Sequence, residues 1–401
     1  MDALEATRFI HLRVGKMEKK EREPSYMRAS KRFAALIEEY QAALNDFYRD
    51  AKEPVLVLKD RRPEGRDGRG RALQAQRVDY CDTDETDRMS AELRDINAWL
   101  SSADIKYLSN EVRLDCTNNR SLRRIFNNNS FEQGGRLFGG FWQQTTMRLA
   151  NAVGGKPWRG HIRIEGEPVV VIDFSSVLLR LLYVEAGVQP PAGDLYLGFD
   201  NLGSEHRDAI KQVVSAMLFR TSPLSKLPRG TAVLLPKGWG AKRIEKAILK
   251  RHALVADTFY AALDRHSTPL GHRLFYRESE ILLAALRQCQ AEGVVALPVH
   301  DAIIVKESNA ERASRIMLDA FKAATGFEGQ VGEPKRPGEP AALPDTVFDD
   351  SGELPSEKDK SVRWLERNYP REDVVRAVLG DAQASGDGSY PPIGTDDHDI
   401  W

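Results

Sequence analysis

The chain has 401 residues, of which 41% are hydrophobic, and a formal net charge of -1. That length and apolar content suffice for two or three folded units, and the lack of any run of about 18 apolar residues excludes a membrane-spanning helix. The opening stretch MDALEATRFIHLRVGKMEKK has early charges and no apolar core of the kind a signal peptide needs, so the expectation is a cytoplasmic chain with no membrane partner.

In chain order, residues 27–52 place Phe33, Leu36, Ile37, Tyr40, Leu44 and Phe47 at three- and four-residue steps, which predicts an amphipathic helix. DRRPEGRDGRGR (60–71) reads as an exposed loop, and a second helix is expected over 87–101, so the first 110 residues are expected to be mostly helical. EPVVVIDF (167–174) is a β-branched run ending on an aspartate, the pattern of a buried strand, with a helix following through Leu178, Leu181 and Leu182. SEHRDAIKQVVSAMLFR (204–220) predicts a helix capped by Ser204 with Ile210, Val213, Val214, Met217 and Leu218 on its apolar face. A short basic helix is expected over 240–252 and another over 278–292, and VVALPVHDAIIVK (294–306) reads as two strands joined by a tight turn at 299–302. Beyond residue 330 Pro, Gly, Asp and Glu dominate, with one helical candidate at 356–379. The expected organisation is a helical region over 1–130, a body over 131–330 and a largely flexible acidic tail over 331–401.

Charge is not spread evenly along the chain. Residues 106–163 carry ten Lys/Arg against three Asp/Glu, residues 225–251 eight against one, and the tail reverses the sign with eight basic and sixteen acidic residues. This asymmetry suggests a basic working surface and an acidic, solvated tail. Cys81, Cys116 and Cys289 are far apart and form no CxxC or Cys/His cluster, the pattern of isolated reduced thiols rather than of a zinc site or disulfide framework.

Asp173 and Asp301 each stand at the end or turn of a hydrophobic strand. A carboxylate there is costly to bury without a cation or a partner, and two on neighbouring strands would make a hard-oxygen site for magnesium. Taken singly, each is equally a turn or cap residue. Arg207 and Lys211 are four apart and share a helix face, where Arg can grip two phosphate oxygens and Lys supplies a point charge; a solvated basic face has the same pattern. The basic helix with Lys242 and Lys246 suits phosphate contacts, and the aromatics of FGGFW (138–142) suit base stacking or core packing equally.

In order, these pieces resemble the family A DNA polymerases (DNA polymerase I-like), with phage-type single-subunit RNA polymerases as more distant relatives of the same palm. The resemblance covers about residues 134–306. Gly135-Arg136-Leu137, Gln143, Arg148 and the strand into Asp173 resemble the TGRL segment and its lead-in; DFSSVLLR (173–180) is similar to motif A, DYSQIELR; Gly193-Asp194-Leu195-Tyr196 is similar to the KDIH element; HRDAIKQVVSAMLF (206–219) keeps the spacing of motif B; and VHDAIIV (299–305) resembles motif C, VHDE.

The resemblance implies an α+β fold: a right-hand palm of antiparallel sheet and helices with short helical fingers, preceded by a mostly helical, thumb-like N-terminal region and followed by the acidic tail. It implies a template-directed nucleotidyltransferase, a DNA-dependent DNA polymerase of small phage or mobile-element type in replication or repair, with a DNA primer-template and nucleoside triphosphates as partners. Its cofactor would be two Mg²⁺ ions, with Mn²⁺ able to substitute, held by Asp173, Asp301 and the Phe174 carbonyl. Arg207 and Lys211 would be catalytic through the triphosphate, and Leu178, Ser215 and Phe219 would line the nucleotide pocket. Arg136, Gln143, Arg148 and His300 would contact nucleic acid, Arg136 at the primer terminus in the minor groove.

Four positions depart from the family pattern. Leu178 stands where motif A has a glutamate, Phe219 where motif B has a tyrosine, Ser215 where the DNA enzymes have an aromatic, and Ala302 where motif C has a glutamate. The apolar pair Leu178 and Phe219 gives shape without a polar partner, so the strictness of sugar choice is open. Alternatives are an RNA polymerase, primase-like or terminal transferase activity on the same palm, and a non-catalytic nucleic-acid-binding platform. The acidic tail is a disordered segment by default, or a mimic of nucleic acid, or a docking peptide for a protein partner.

Overall fold

In the computed structural model the chain divides into two units, Met1–Ala341 and Ala342–Trp401. The structure describes residues 8–13, 17–18, 21–22, 26–41, 53–63, 65, 73–108, 117–145, 159–261 and 268–338, all in the first unit. Arg148, Cys116, the continuation of the first predicted helix past residue 41, much of the 60–71 loop and the tail helix at 356–379 lie outside the described residues.

Among the described residues the N-terminal region is not mostly helical. Strands β1 (Ile10–Arg13) and β4 (Tyr26–Ala29) pair antiparallel, as do the short β2 (Met17–Glu18) and β3 (Glu21–Arg22). Helix α1 (Lys31–Glu39) follows, then β5 (Leu56–Lys59), β6 (Arg77–Val78), helix α2 (Asp84–Ser102) and β7 (Ile105–Tyr107). The reason is that VLVLK (55–59) is a buried apolar run too short to declare its period. Helix α2 is reliable in sequence: Thr83 and Thr86 form a reciprocal cap, and Met89, Leu93, Ile96 and Leu100 make one buried stripe. Such a cap contributes about 1 kcal/mol.

Two sheets follow. β8 (Arg123–Asn127) and β9 (Ser130–Phe138) complete a four-stranded sheet of order β6-β5-β8-β9, in which only the β5/β8 pair is parallel. The second sheet, order β12-β13-β11-β10-β7, is antiparallel throughout and joins β7 to β10 (Ile162–Ile164), β11 (Glu167–Asp173), β12 (Ala296–Val299) and β13 (Ala302–Lys306). Val169 to Ile172 are buried, as their β-branched run requires.

The remaining helices are α3 (Val177–Glu185), α4 (Arg207–Leu218), α5 (Ala241–Arg251), α6 (Gly271–Ala291) and α7 (Ala310–Thr325). Ser204 opens a 3-10 turn rather than capping α4, which starts after His206. α6 begins seven residues ahead of its predicted start and packs against β9 of one sheet, β12 of the other, α3 and α7. Its buried Leu274, Ile281, Leu282, Ala285 and Leu286 form a stripe shared by both sheets. No helix among the described residues is long and apolar enough to cross a membrane.

Candidate active site

β11 and β13 pair so that Asp173 faces Ala302, which sets Asp301 beside the end of β11. The Phe174 N–H donates to the Asp301 carbonyl at 3.1 Å, joining the two acidic positions by a backbone bond. Unusual backbone lies close by in the chain: His300, next to Asp301 in the two-residue β12–β13 connection, has φ +56, and Ser176, three residues after Asp173 and just before α3, has φ +53. Left-handed conformations at non-glycine residues are strained and persist where the surroundings impose them. Phe174 itself is buried, its ring centroid 6.0 Å from that of Phe321 on α7.

One phosphate-side candidate, Arg207, is tied to the turn after Asp173 through a carboxylate. Asp194 accepts from the Ser176 hydroxyl at 3.2 Å and from the Tyr196 N–H at 2.9 Å, and it pairs with the Arg207 guanidinium. Burial raises the Asp194 carboxyl, but Arg207, the Tyr196 N–H and Ser176 together outweigh it and hold it below its ordinary value. The Tyr196 ring is buried under Arg207, 5.5 Å from the guanidinium carbon. Its hydroxyl is pushed well above its ordinary value, first by burial and then by the charge of Asp301. Arg207, Lys211 and Ser215 succeed one another along α4 beside the buried row of Ile210, Val214 and Leu218, and Lys211 and Ser215 are exposed. No ion pair engages Lys211 among the described residues.

Arg136 on β9 makes a two-pronged pair with Glu278 of α6, both contacts 2.7 Å, and lies 3.6 Å from the centroid of Phe275. Phe275 in turn packs on Phe219 at 4.6 Å, so the end of α4 and the Arg136 strand share one aromatic stack. Leu178 is half-buried on α3. Glu278 is almost completely buried, and burial raises its carboxyl to about 7, with Arg136 opposing and Asp301 adding to the shift. His300 is lowered by desolvation and then by Arg136, and its ring meets Phe138 edge-on.

Other candidates turn inward. Gln143 donates to the carbonyls of Leu137 and Pro298, both at 3.0 Å, and accepts from the Gly139 N–H, so its amide braces β9 against β12. Trp142 is fully buried and donates to the Pro298 carbonyl, which decides FGGFW in favour of core packing at that position. Lys242 and Lys246 are exposed one turn apart on α5, and with Lys250, Leu249, Pro223 and Tyr260 they border an open groove of about 680 Å³.

Three site residues were missed in sequence. Glu278 has a visible signal, a carboxylate on the same α6 stripe as Leu274 and Leu282. Arg180 at the end of DFSSVLLR is buried, donates to the Ser175 and Pro191 carbonyls at 2.8 Å and to Gln330 at 2.7 Å, and also bonds Gly193. Lys335, in the Pro/Gly-rich stretch, sets its ammonium 3.5 Å from Asp173 Oδ1.

No group of three or more His, Cys, Asp or Glu residues able to hold a metal occurs among the described residues. A divalent ion here would rest on Asp173, Asp301 and the Phe174 carbonyl, with water or substrate oxygens completing the shell, which is how magnesium is usually held. These donors are hard oxygens, the ligand type a magnesium ion takes, and the Lys335 ammonium lies 3.5 Å from Asp173 Oδ1.

No family model matches the sequence, and no curated protein matches it significantly. Among solved structures, the POL domain of Pol1 from M. smegmatis in complex with DNA primer-template and dNTP aligns at 13% identity with a TM-score of 0.35, over 63% of this chain and 51% of that one. The chain thus spans about half the length of that structure.

Proposed function

We propose that this chain is a template-directed nucleotidyltransferase of the family A type, a DNA-dependent DNA polymerase that extends a primer 3′-hydroxyl with deoxynucleoside triphosphates in the cytoplasm. The observation that carries this reading is the register of β11 on β13, which puts Asp173 and Asp301 side by side while Asp194 ties Arg207 of α4 to the turn after Asp173. Two magnesium ions held there would neutralise phosphate charge and lower the pKa of the attacking hydroxyl. The chain's own residues supply the positioning. Arg207 and Lys211 present cations along the triphosphate, Leu178 and Phe219 shape the sugar pocket, and a primer end would rest near His300, next to Asp301 in the chain and within reach of the Arg136 charge. The cations of α5 suit the phosphates of the nucleic acid strand.

The test is extension of a labelled primer on a DNA template with Mg²⁺, supplying deoxy- or ribonucleotides in parallel, for the native chain and for Asp173→Asn and Asp301→Asn. Extension by the native chain that disappears in both variants supports the reading and reports the sugar preference. Inactivity of all three proteins with duplex binding intact would favour the binding-platform alternative.

A further inference from the structure

Residues 330–336 lie along the edge of β11 that β10 leaves open. Val171 and Lys335 exchange two backbone hydrogen bonds of 2.9 Å, the Gly332 N–H donates to the Asp173 carbonyl at 2.8 Å, and the Ser175 N–H donates to the Gln330 carbonyl at 2.8 Å. Both ends of this strap are fastened by side chains. Gln330 Oε1 accepts from Arg180 at 2.7 Å and from the Gly193 N–H at 2.9 Å, and Arg336 Nε reaches Glu307 at 2.8 Å. Gly332 lets the strap pass close to the acidic pair, since a methyl group there would stand 2.7 Å from Asp173 Oδ1. The backbone of Lys335 is therefore fixed on the strand that ends in Asp173, and its ammonium sits 3.5 Å from Asp173 Oδ1.

We propose that Lys335 is a positioning residue for the metal-binding carboxylate, an internal cation that holds the Asp173 side chain and competes with a divalent ion for it. The proposal rests on the two-carboxylate reading above. A divalent cation on Asp173 Oδ1 meets the like charge of the ammonium, so Lys335 must swing away before the site fills. Both side chains are substantially exposed, at 61% and 42%, so water screens the pair and the competition amounts to roughly two- to fivefold in metal affinity. Lys335 thereby raises the metal concentration at which the acidic pair is occupied, without itself touching the reacting atoms.

The experiment is direct titration of the full chain with Mn²⁺, read as loss of the free-ion electron paramagnetic resonance signal, for the native protein, Lys335→Met, Lys335→Arg and Asp173→Asn. Lys335→Met is expected to bind Mn²⁺ about two- to fivefold more tightly, Lys335→Arg to restore the native affinity, and Asp173→Asn to lose the site. Binding that depends on Asp173 but is unchanged or weaker in Lys335→Met would overturn this proposal alone. Absence of Asp173-dependent binding in the native chain would overturn the two-carboxylate reading together with it.

Discussion

Arg136 and Glu278, brought together from β9 and α6, form a bidentate ion pair in which the carboxylate is almost fully buried and the guanidinium keeps an open face. The pair stands between the two sheets and close enough to Asp301 for that charge to act on Glu278.

The folded carboxyl of Glu278 titrates at about 7 against an ordinary 4.5, chiefly because burial disfavours its charge. A carboxyl raised in the folded state favours folding fully below about pH 4.5, and that contribution is lost as pH rises through about 7. Its size is on the order of 3 kcal/mol. Glu278→Gln is therefore expected to flatten the decline of thermal stability between those pH values, as measured by melting curves across the range.

Arg136→Ala leaves the Glu278 carboxylate without its partner. The expected loss is about 3 to 5 kcal/mol where Glu278 is charged, and much less below its folded pKa, where the group is neutral. Chemical denaturation at pH 8 and at pH 5 checks the difference; equal losses at the two values would contradict it.

Arg207 and Lys211 are expected to fail differently. If Arg207 grips the nucleotide as proposed, Arg207→Ala removes a charge-assisted hydrogen bond and should raise KM about tenfold. If Lys211 faces the developing charge as proposed, Lys211→Ala should lower kcat about a hundredfold. Steady-state single-nucleotide insertion separates the two parameters.

Lys242→Glu with Lys246→Glu should weaken duplex or primer-template binding on every sequence alike. The slope of log affinity against log salt should flatten by about 2, one for each phosphate that is no longer neutralised. Fluorescence anisotropy over a salt series measures it, and an unchanged slope would remove α5 from the interface.

Leu178 is half-buried, and if it walls the sugar pocket as proposed, Leu178→Gly opens that wall. The ratio of ribonucleotide to deoxyribonucleotide insertion should rise by about tenfold or more, the scale on which an apolar pocket discriminates. A constant ratio in competition assays would show that the sugar is selected elsewhere.

Elements whose pattern is local were legible in the sequence. β11 and β13 announce themselves as β-branched runs, and α4 by apolar residues at three- and four-residue steps beside the row of Arg207 and Lys211. Their meeting at Asp173 and Asp301 was expected only through the resemblance, because pairing β11 with β13 joins residues far apart in the chain. The N-terminal strands were missed for a related reason: β5 pairs in parallel with β8 across more than sixty residues, and no local turn signal marks such a pairing. Gln330 and Lys335 sit among Gly329, Gly332, Pro334 and Pro337, a composition that reads as loop. Their order comes from the open edge of β11, a property of the folded sheet and not of the segment. Glu278 was readable and overlooked, since one carboxylate on an apolar helical stripe asks for a buried partner.

The sheet that carries Arg136 is built largely from residues ahead of 131. β9 takes its neighbour from β8, and β8 takes its own from β5, while Arg124 of β8 is fastened to Glu280 and Ser279 on α6 at 2.6 and 3.0 Å. Anyone trimming the chain to a minimal working fragment would meet this as an engineering constraint. A cut just before residue 131 strips β9 of its ladder, exposes the flank of α6 and releases the helix that presents Glu278 to Arg136. The leading residues are thus part of the workbench rather than an attachment to it, and a fragment meant to keep the acidic pair aligned has to begin upstream of β5.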